Sequence, residues 1–221
     1  MKVERYSYPC ITPSAARGVL EAIYRKPEFR WQVERVEVLT EPRYIALRRN
    51  EVKNRAPGAN TIMSWVEGKA APQPIWADES EGATGRTQRQ TMALRDVRYR
   101  IHARILPWDN NQVLLPKYQD TFERRVQRGQ CVWQPCFGCR EFPAFFSAPS
   151  ERPALTSLDQ EIGWMVYDVF DLRVARRAPL ITPEEKPFIT VFHASIRHGV
   201  LEVPPFDDDR LVRKPHKEAA R

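Results

Sequence analysis

Residues 94–106 read LRDVRYRIHARIL. Val97, Tyr99, Ile101, Ala103 and Ile105 fall on one parity, while Arg98, Arg100, His102 and Arg104 fall on the other. A period of two predicts a strand with one face in a core. The opposite face then carries guanidiniums and an imidazole at intervals of roughly 7 Å, close to the spacing of phosphates along a nucleic-acid strand. Cationic groups set in a row repel one another, so the arrangement invites an anionic partner, with nucleic acid the leading candidate. The competing reading is a solvated face balanced by carboxylates on a neighbouring strand.

Upstream, Thr12-Pro13 supplies an N-cap hydroxyl followed by proline at the first helical position, and Pro27 sets the latest end of that helix. Ala16, Leu20 and Tyr24 are four apart, with Val19 and Ile23 beside them, which predicts a packed face ending on Tyr24. Arg17 and Glu21 are spaced to pair on another face. FRWQVERVEVL is strand-like but changes phase between Val33 and Val36, the signature of a bulge or a twisted edge. Arg43 to Val52 reads as a further strand with a basic tip at Arg48 and Arg49. Residues 53–93 read as an irregular connection, long for a compact domain, with a hairpin around Ile62–Val66 as the alternative. The expectation for this stretch is a loop that orders on a ligand.

Downstream, a helix is expected from about Lys117 to Arg128, with Tyr118, Phe122 and Val126 as its buried stripe. Strands are expected at Gly163–Leu172, Phe188–Ile196 and Gly199–Val203, with His198-Gly199 at a hairpin turn. Residues 210–221 read as a polar tail. These elements predict an α+β fold: a ferredoxin-like or related sheet with an appended β subdomain. The expected division is 1–140 and 141–221.

The composition narrows the partners. The 221 residues carry 35 Lys+Arg against 28 Asp+Glu, a net charge of +7. Residues 1–60 contribute +5 and residues 86–140 contribute +7, while 61–85 and 141–221 are net acidic. Two separated basic segments suggest one positive surface in the fold, which an acidic small molecule or an anionic membrane would also suit. With 42% hydrophobic residues the chain can build a core. No run of 18 apolar residues spans a bilayer, and the N-terminus has no secretory h-region. The cysteines Cys10, Cys131, Cys136 and Cys139 do not make a secreted scaffold, so a cytoplasmic home is expected. Cys136 and Cys139 have the spacing of a zinc knuckle without a second pair, and buried or chance thiols are the expected reading. The run Asp207-Asp208-Asp209 is read as a solvated turn rather than a cation site, and no metal or cofactor motif is recognised.

ITPSAARGVLEAIYRKPEFRWQVERVEVL, RRNEV at 48–52, LRDVRYRIHARI at 94–105, PKYQDTFERRVQRGQC at 116–131 and GCREF at 138–142 resemble, colinearly, the fifth CRISPR-associated protein family in its catalytically active type I-C (Dvulg) branch. The resemblance implies an RNA-recognition-like ferredoxin fold followed by a small antiparallel β domain. It also implies a further strand of the type GDYACF ahead of Met1, so the expectation is a sheet short of its first strand. The implied activity is a single, metal-independent cut in the repeat of precursor CRISPR RNA, after which the protein stays on the 5′ handle. The implied partners are CRISPR RNA and the repeated backbone and large subunits of a surveillance complex, with target DNA met through the complex. The alternative is a non-catalytic module that caps the 5′ handle.

The family's catalytic tyrosine, in IYWKP, falls on Tyr24 of IYRKP, and its catalytic lysine falls on Lys117. The next position, histidine in one branch, is Tyr118, and the tryptophan of IYWKP is Arg25. The implied chemistry is attack by the substrate's own 2′-hydroxyl on the adjacent phosphorus. Lys117 is suited to the charge of the phosphorane or to protonation of the leaving oxygen. Tyr24, with an ordinary pKa of about 10, is better suited to orienting the 2′-hydroxyl than to removing its proton. Tyr118 occupies the remaining position of that catalytic set, where it could stack on a base or hold the phosphate by its hydroxyl, but its place on the Phe122/Val126 stripe makes core packing the preferred reading. Arg48, Arg49, Arg98, Arg100, His102 and Arg104 are the expected RNA contacts.

Overall fold

The computed structural model describes residues 5–52, 56–73, 86–109, 112–173 and 188–213. The chain forms two compact units, one from residues 1–7 and 43–95 and the other from 8–42 and 96–221.

In the larger unit, helix α1 (Pro13–Ile23) begins where the sequence places it. The Thr12 hydroxyl accepts the Ala15 N–H at 3.2 Å, satisfying one of the donors that a helix start leaves free. The helix ends at Tyr24, whose extended backbone still sends its N–H to the Leu20 carbonyl. Ala16, Val19, Leu20 and Ile23 are buried as the spacing predicts. Strand β2 (Phe29–Val38) pairs antiparallel with β5 (Tyr99–Pro107). Their register shifts between Val33 and Arg35, at the expected phase change. The extra residue lets Phe29, Trp31 and Val33 face inward before the bulge and Val36 and Val38 after it.

Helix α3 (Leu115–Gln127) packs against α1 and β5. Strand β6 (Gln160–Asp168), strand β7 (Thr190–Arg197), strand β8 (Val200–Glu202) and strand β9 (Val212–Arg213) complete one mainly antiparallel sheet. Its order is β5-β2-β8-β7-β6, with β9 beside β7, so strands from both sides of residue 140 share it. His198 (φ 48°) and Gly199 (φ 76°) form the two-residue turn between β7 and β8, as expected. Only glycine fits at 199, because a Cβ there would lie 2.5 Å from the Leu155 carbonyl oxygen.

One buried ion pair ties helix to sheet. Arg17 turns into the core and meets Asp168 with Nε at 2.7 Å and a second guanidinium nitrogen at 3.0 Å. The expected Glu21 partner is also present, at 2.6 Å. Asp168 further accepts the N–H groups of Val169 and Phe170, so the buried carboxylate is fully engaged.

In the smaller unit, β3 (Arg43–Val52) pairs antiparallel along its length with β4 (Arg86–Arg95), and β1 (Arg5–Tyr6) runs parallel to β4. Helix α2 (Ala59–Val66) belongs to this unit. Two expectations change here. The stretch 53–93 is not simply irregular: it holds α2, where a hairpin was the alternative, and most of β4; residues 53–55 and 74–85 lie outside the described residues. Strand β4 escapes a hydropathy reading because the residues it buries, Thr91 and Ala93, are small or polar. The strand expected over 94–106 is also divided. Asp96 adopts φ 54°, and the Thr40 hydroxyl donates to its carbonyl while accepting the Arg98 N–H. Parity continued across a turn that the alternation does not register.

Candidate active site and basic surface

The extended conformation of Tyr24 is held from two sides. Its carbonyl accepts the Trp31 indole N–H at 2.9 Å, and Arg125 of α3 donates to the preceding carbonyl, that of Ile23, at 2.7 Å. The Tyr24 ring lies 5.5 Å from the Phe29 ring, which lies 5.1 Å from the Tyr118 ring (centroid distances). Phe29, the first residue of β2, thus stands between the two tyrosines that the sequence singles out. The Arg125 guanidinium sits over the Tyr24 ring at 5.1 Å.

Both tyrosine rings are buried. Burial pushes the Tyr24 hydroxyl above a tyrosine's ordinary value; a hydrogen bond with Thr121 and the charges of Arg125 and Arg124 pull the other way without overcoming it. Burial also raises Tyr118, reinforced by Glu28 and Tyr24 and opposed by Lys26. Both phenols therefore stay protonated near neutral pH. Lys117 is exposed in the first turns of α3, and its carbonyl accepts the Thr121 hydroxyl at 2.8 Å. The expected stripe of α3 holds: Tyr118 is buried, and Phe122 and Val126 pack against the core.

Three neighbours were not singled out by sequence reasoning: Phe29, Thr121 and Arg125. The signal for two of them was legible. Lys117, Thr121 and Arg125 are four apart, and so share one face of α3.

The basic residues fall into different surroundings. On β5, Arg100 pairs with Glu37 and also donates to the carbonyls of Ser150 and Arg152. His102 Nε2 lies 2.7 Å from the same carboxylate, and Arg35 approaches it at 3.7 Å. Burial alone would raise the Glu37 carboxyl, but the hydrogen bonds from Arg100 and His102 hold it below the usual range. Arg104 pairs at 3.0 Å with Glu34, and both side chains are about half exposed. The carboxylates expected on the competing reading are thus present, on β2. Arg98 is exposed in the turn before β5. In the smaller unit, Arg48 is exposed and the half-buried Arg49 is the next residue along β3, so they point to opposite faces of the hairpin.

Burial pushes the Cys10 thiol up to about 12. Cys131 and Cys139 are exposed, Cys136 is half-buried, and all four cysteines are free thiols. Among the described residues, no group of three or more His, Cys, Asp or Glu side chains is placed to hold a metal ion, and no helix is long and apolar enough to cross a membrane.

Residues 1–204 match the family model described as CRISPR-associated protein (Cas_Cas5), in its Cas5d form. The chain is 39% identical over 219 residues to a protein of Thermus thermophilus named CRISPR pre-crRNA endoribonuclease Cas5d, covering 96% of this chain and 87% of that one. It is 35% identical over 222 residues to a protein of the same name from Mannheimia succiniciproducens, covering 96% and 91%. Among solved structures, one titled as a CRISPR-associated protein aligns with a TM-score of 0.59 at 17% identity, over 94% of this chain and 87% of that one. A functionally uncharacterized protein from Streptococcus mutans aligns with a TM-score of 0.56 at 16% identity, over 93% and 87%. The α+β fold, with a ferredoxin-like arrangement, agrees with these neighbours.

Proposed function

The chain belongs to the CRISPR-associated Cas5 family in its Cas5d branch, and on that footing we propose that it is an endoribonuclease that cuts precursor CRISPR RNA within the repeat. The observation that carries this reading is its likeness, over nearly the whole chain, to two relatives named for that activity. The geometry is compatible with it: Tyr24 and Tyr118 flank Phe29 at 5.5 and 5.1 Å between ring centroids, and Lys117 is exposed on α3 immediately before Tyr118.

The reaction is attack of a 2′-hydroxyl on the adjacent phosphorus, with loss of the 5′-oxygen. The 2′-hydroxyl gives up its proton, the leaving oxygen gains one, and the products are a 2′,3′-cyclic phosphate and a 5′-hydroxyl. Tyr24, protonated at neutral pH, orients the 2′-hydroxyl by hydrogen bonding. Lys117, an exposed ammonium, neutralises the developing phosphorane charge or protonates the leaving oxygen. Tyr118 supports Phe29 and, through it, the position of Tyr24. The reaction assigns no role to a metal. The product RNA stays bound by its 5′ handle while the protein joins the repeated backbone and large subunits, through which target DNA is met.

The burial of both tyrosines favours a second reading, a non-catalytic cap on the 5′ handle. Single-turnover cleavage of repeat RNA in excess chelator separates the two. Lys117→Ala is expected to lose about 3–4 kcal/mol of transition-state stabilisation with little change in RNA affinity. Tyr24→Phe keeps the ring on Phe29 and should slow the cut by less. Wild-type cleavage at the Lys117→Ala rate would remove Lys117 from the site, and an intact protein that binds but never cuts would leave the cap.

A further inference from the structure

Arg125 of α3 turns inward without meeting a carboxylate among the described residues. One of its terminal nitrogens donates to the Ile23 carbonyl at 2.7 Å, and its guanidinium carbon lies 5.1 Å from the centre of the Tyr24 ring. None of its other N–H groups has an acceptor among the described residues. Other arginines drawn into the protein are paired: Arg17 with Asp168 and Glu21, and Arg100 with Glu37. The helix itself cannot supply the missing charge, because the positions three and four residues away are Thr121, Phe122, Arg128 and Gly129. A half-buried cation with no counter-charge is unfavourable unless something else engages it. Here a carbonyl and an aromatic face fix its position and leave its charge and most of its donors unused.

We infer that Arg125 binds the scissile phosphate: its remaining N–H groups take a nonbridging oxygen while Tyr24 orients the neighbouring 2′-hydroxyl. A guanidinium is a planar fork that matches phosphate oxygens and stays charged at any working pH. Lying over the Tyr24 ring, it is close to whatever the phenol binds, and a 2′-hydroxyl is joined through its ribose to the phosphorus it attacks. Side chains of a helix lean toward its N-terminus, so Arg125 reaches back along α3 in the direction of Lys117, two turns away on the same face. The charge that grows on the phosphorane is then met by two cations rather than one. Arg125 exchanges no proton with the RNA; it holds the phosphate and steadies that charge. The inference rests on the endoribonuclease reading above, and it adds a residue to which that reading assigns no role.

The test is single-turnover cleavage of repeat RNA by the full chain, with a phosphorothioate at the cut in each of its two diastereomers. RNA affinity across salt and thermal midpoint are measured on the same samples. Arg125→Gln keeps an N–H donor for the Ile23 carbonyl and removes the charge. It should slow cleavage about a hundredfold, lower the salt slope of RNA binding by about 0.7, and lose the wild-type preference between the diastereomers. Arg125→Lys restores the charge without the fork and should recover part of the rate. Arg124→Gln removes the same charge from the exposed neighbouring residue and should leave the diastereomer preference as in the wild type. Wild-type cleavage by Arg125→Gln, or a wild type indifferent to the diastereomers, would overturn the inference. So would a slow Arg125→Gln that keeps the wild-type preference, since the arginine would then act only through the backbone at Ile23. Were Arg125→Gln not to fold, Arg125→Lys would decide, because a wild-type preference in that variant would exclude the contact. A chain that never cuts would bring down the endoribonuclease reading, and an unchanged salt slope in Arg125→Gln would then overturn the phosphate contact separately.

Discussion

Asp168 accepts four hydrogen bonds, two from Arg17 of α1 and two from the backbone that follows it. An ion pair this deep is not by itself a source of stability, because both charges lose their water. Its effect appears when one partner goes. Asp168→Ala leaves a guanidinium in the core with Glu21 alone to answer it, and is expected to cost about 3–5 kcal/mol. The apolar double replacement Arg17→Met/Asp168→Leu should recover most of that loss. Urea midpoints of the three proteins check this, and an Asp168→Ala midpoint equal to the parent's would mean that water reaches the pair. The Arg17–Glu21 half was legible as an i, i+4 spacing. The Asp168 half was not, because its partner lies 151 residues away and no local pattern links them.

At the scale of the element, β5 shows that one periodicity can carry two meanings. Its cations face β2, where Glu34 and Glu37 were equally visible in the sequence, but parity along one strand cannot say which strand lies beside it. Burial then sorts the cations. The Arg104–Glu34 pair is about half exposed and worth about 0.2–1 kcal/mol, so exchanging Glu34 for a phosphate would cost Arg104 little. Arg100 has three acceptors and is half-buried. Arg104→Ala should therefore lower the salt dependence of RNA binding by about 0.7–0.9 in slope, with the fold unaffected. Arg100→Ala should instead lower the denaturation midpoint and leave the slope nearly unchanged. Salt titrations beside urea melts decide it, and a slope that falls for Arg100→Ala with stability intact would reverse the assignment. The same limit explains what else was legible. The bulge in β2 was, because a phase change is written in the strand itself. The break at Asp96 and the existence of β4 were not, because one rests on a side-chain bond from Thr40 and the other buries residues that carry no hydropathy signal.

Across the whole molecule, buried groups that titrate set the pH range of stability, and their signs differ. Glu37 has its carboxyl held below the ordinary 4.5, so its contribution is present above that value and is lost as pH falls through the lower folded one. Cys10 is raised by burial from 9.0 to about 12, and Tyr167, buried beside Gln32, from 10.0 to about 12. For these acids the folded state keeps its proton longer than the unfolded chain does. Their contribution is complete below about pH 9 and is lost as pH rises from there towards 12. Stability should thus be flat across neutral pH and fall on both sides, for different residues. Glu37→Gln should soften the acid fall, since the substituted side chain has nothing to protonate. Cys10→Ala should delay the alkaline fall, moving its onset from near 9 towards the tyrosine range, at the cost of some packing at every pH. Urea midpoints measured from pH 3 to 11 on the three proteins check both limbs. An alkaline limb that begins at the same pH with and without Cys10 would show that the thiol ionises in the folded protein as it does in the unfolded chain, and that burial at the start of α1 does not protect it.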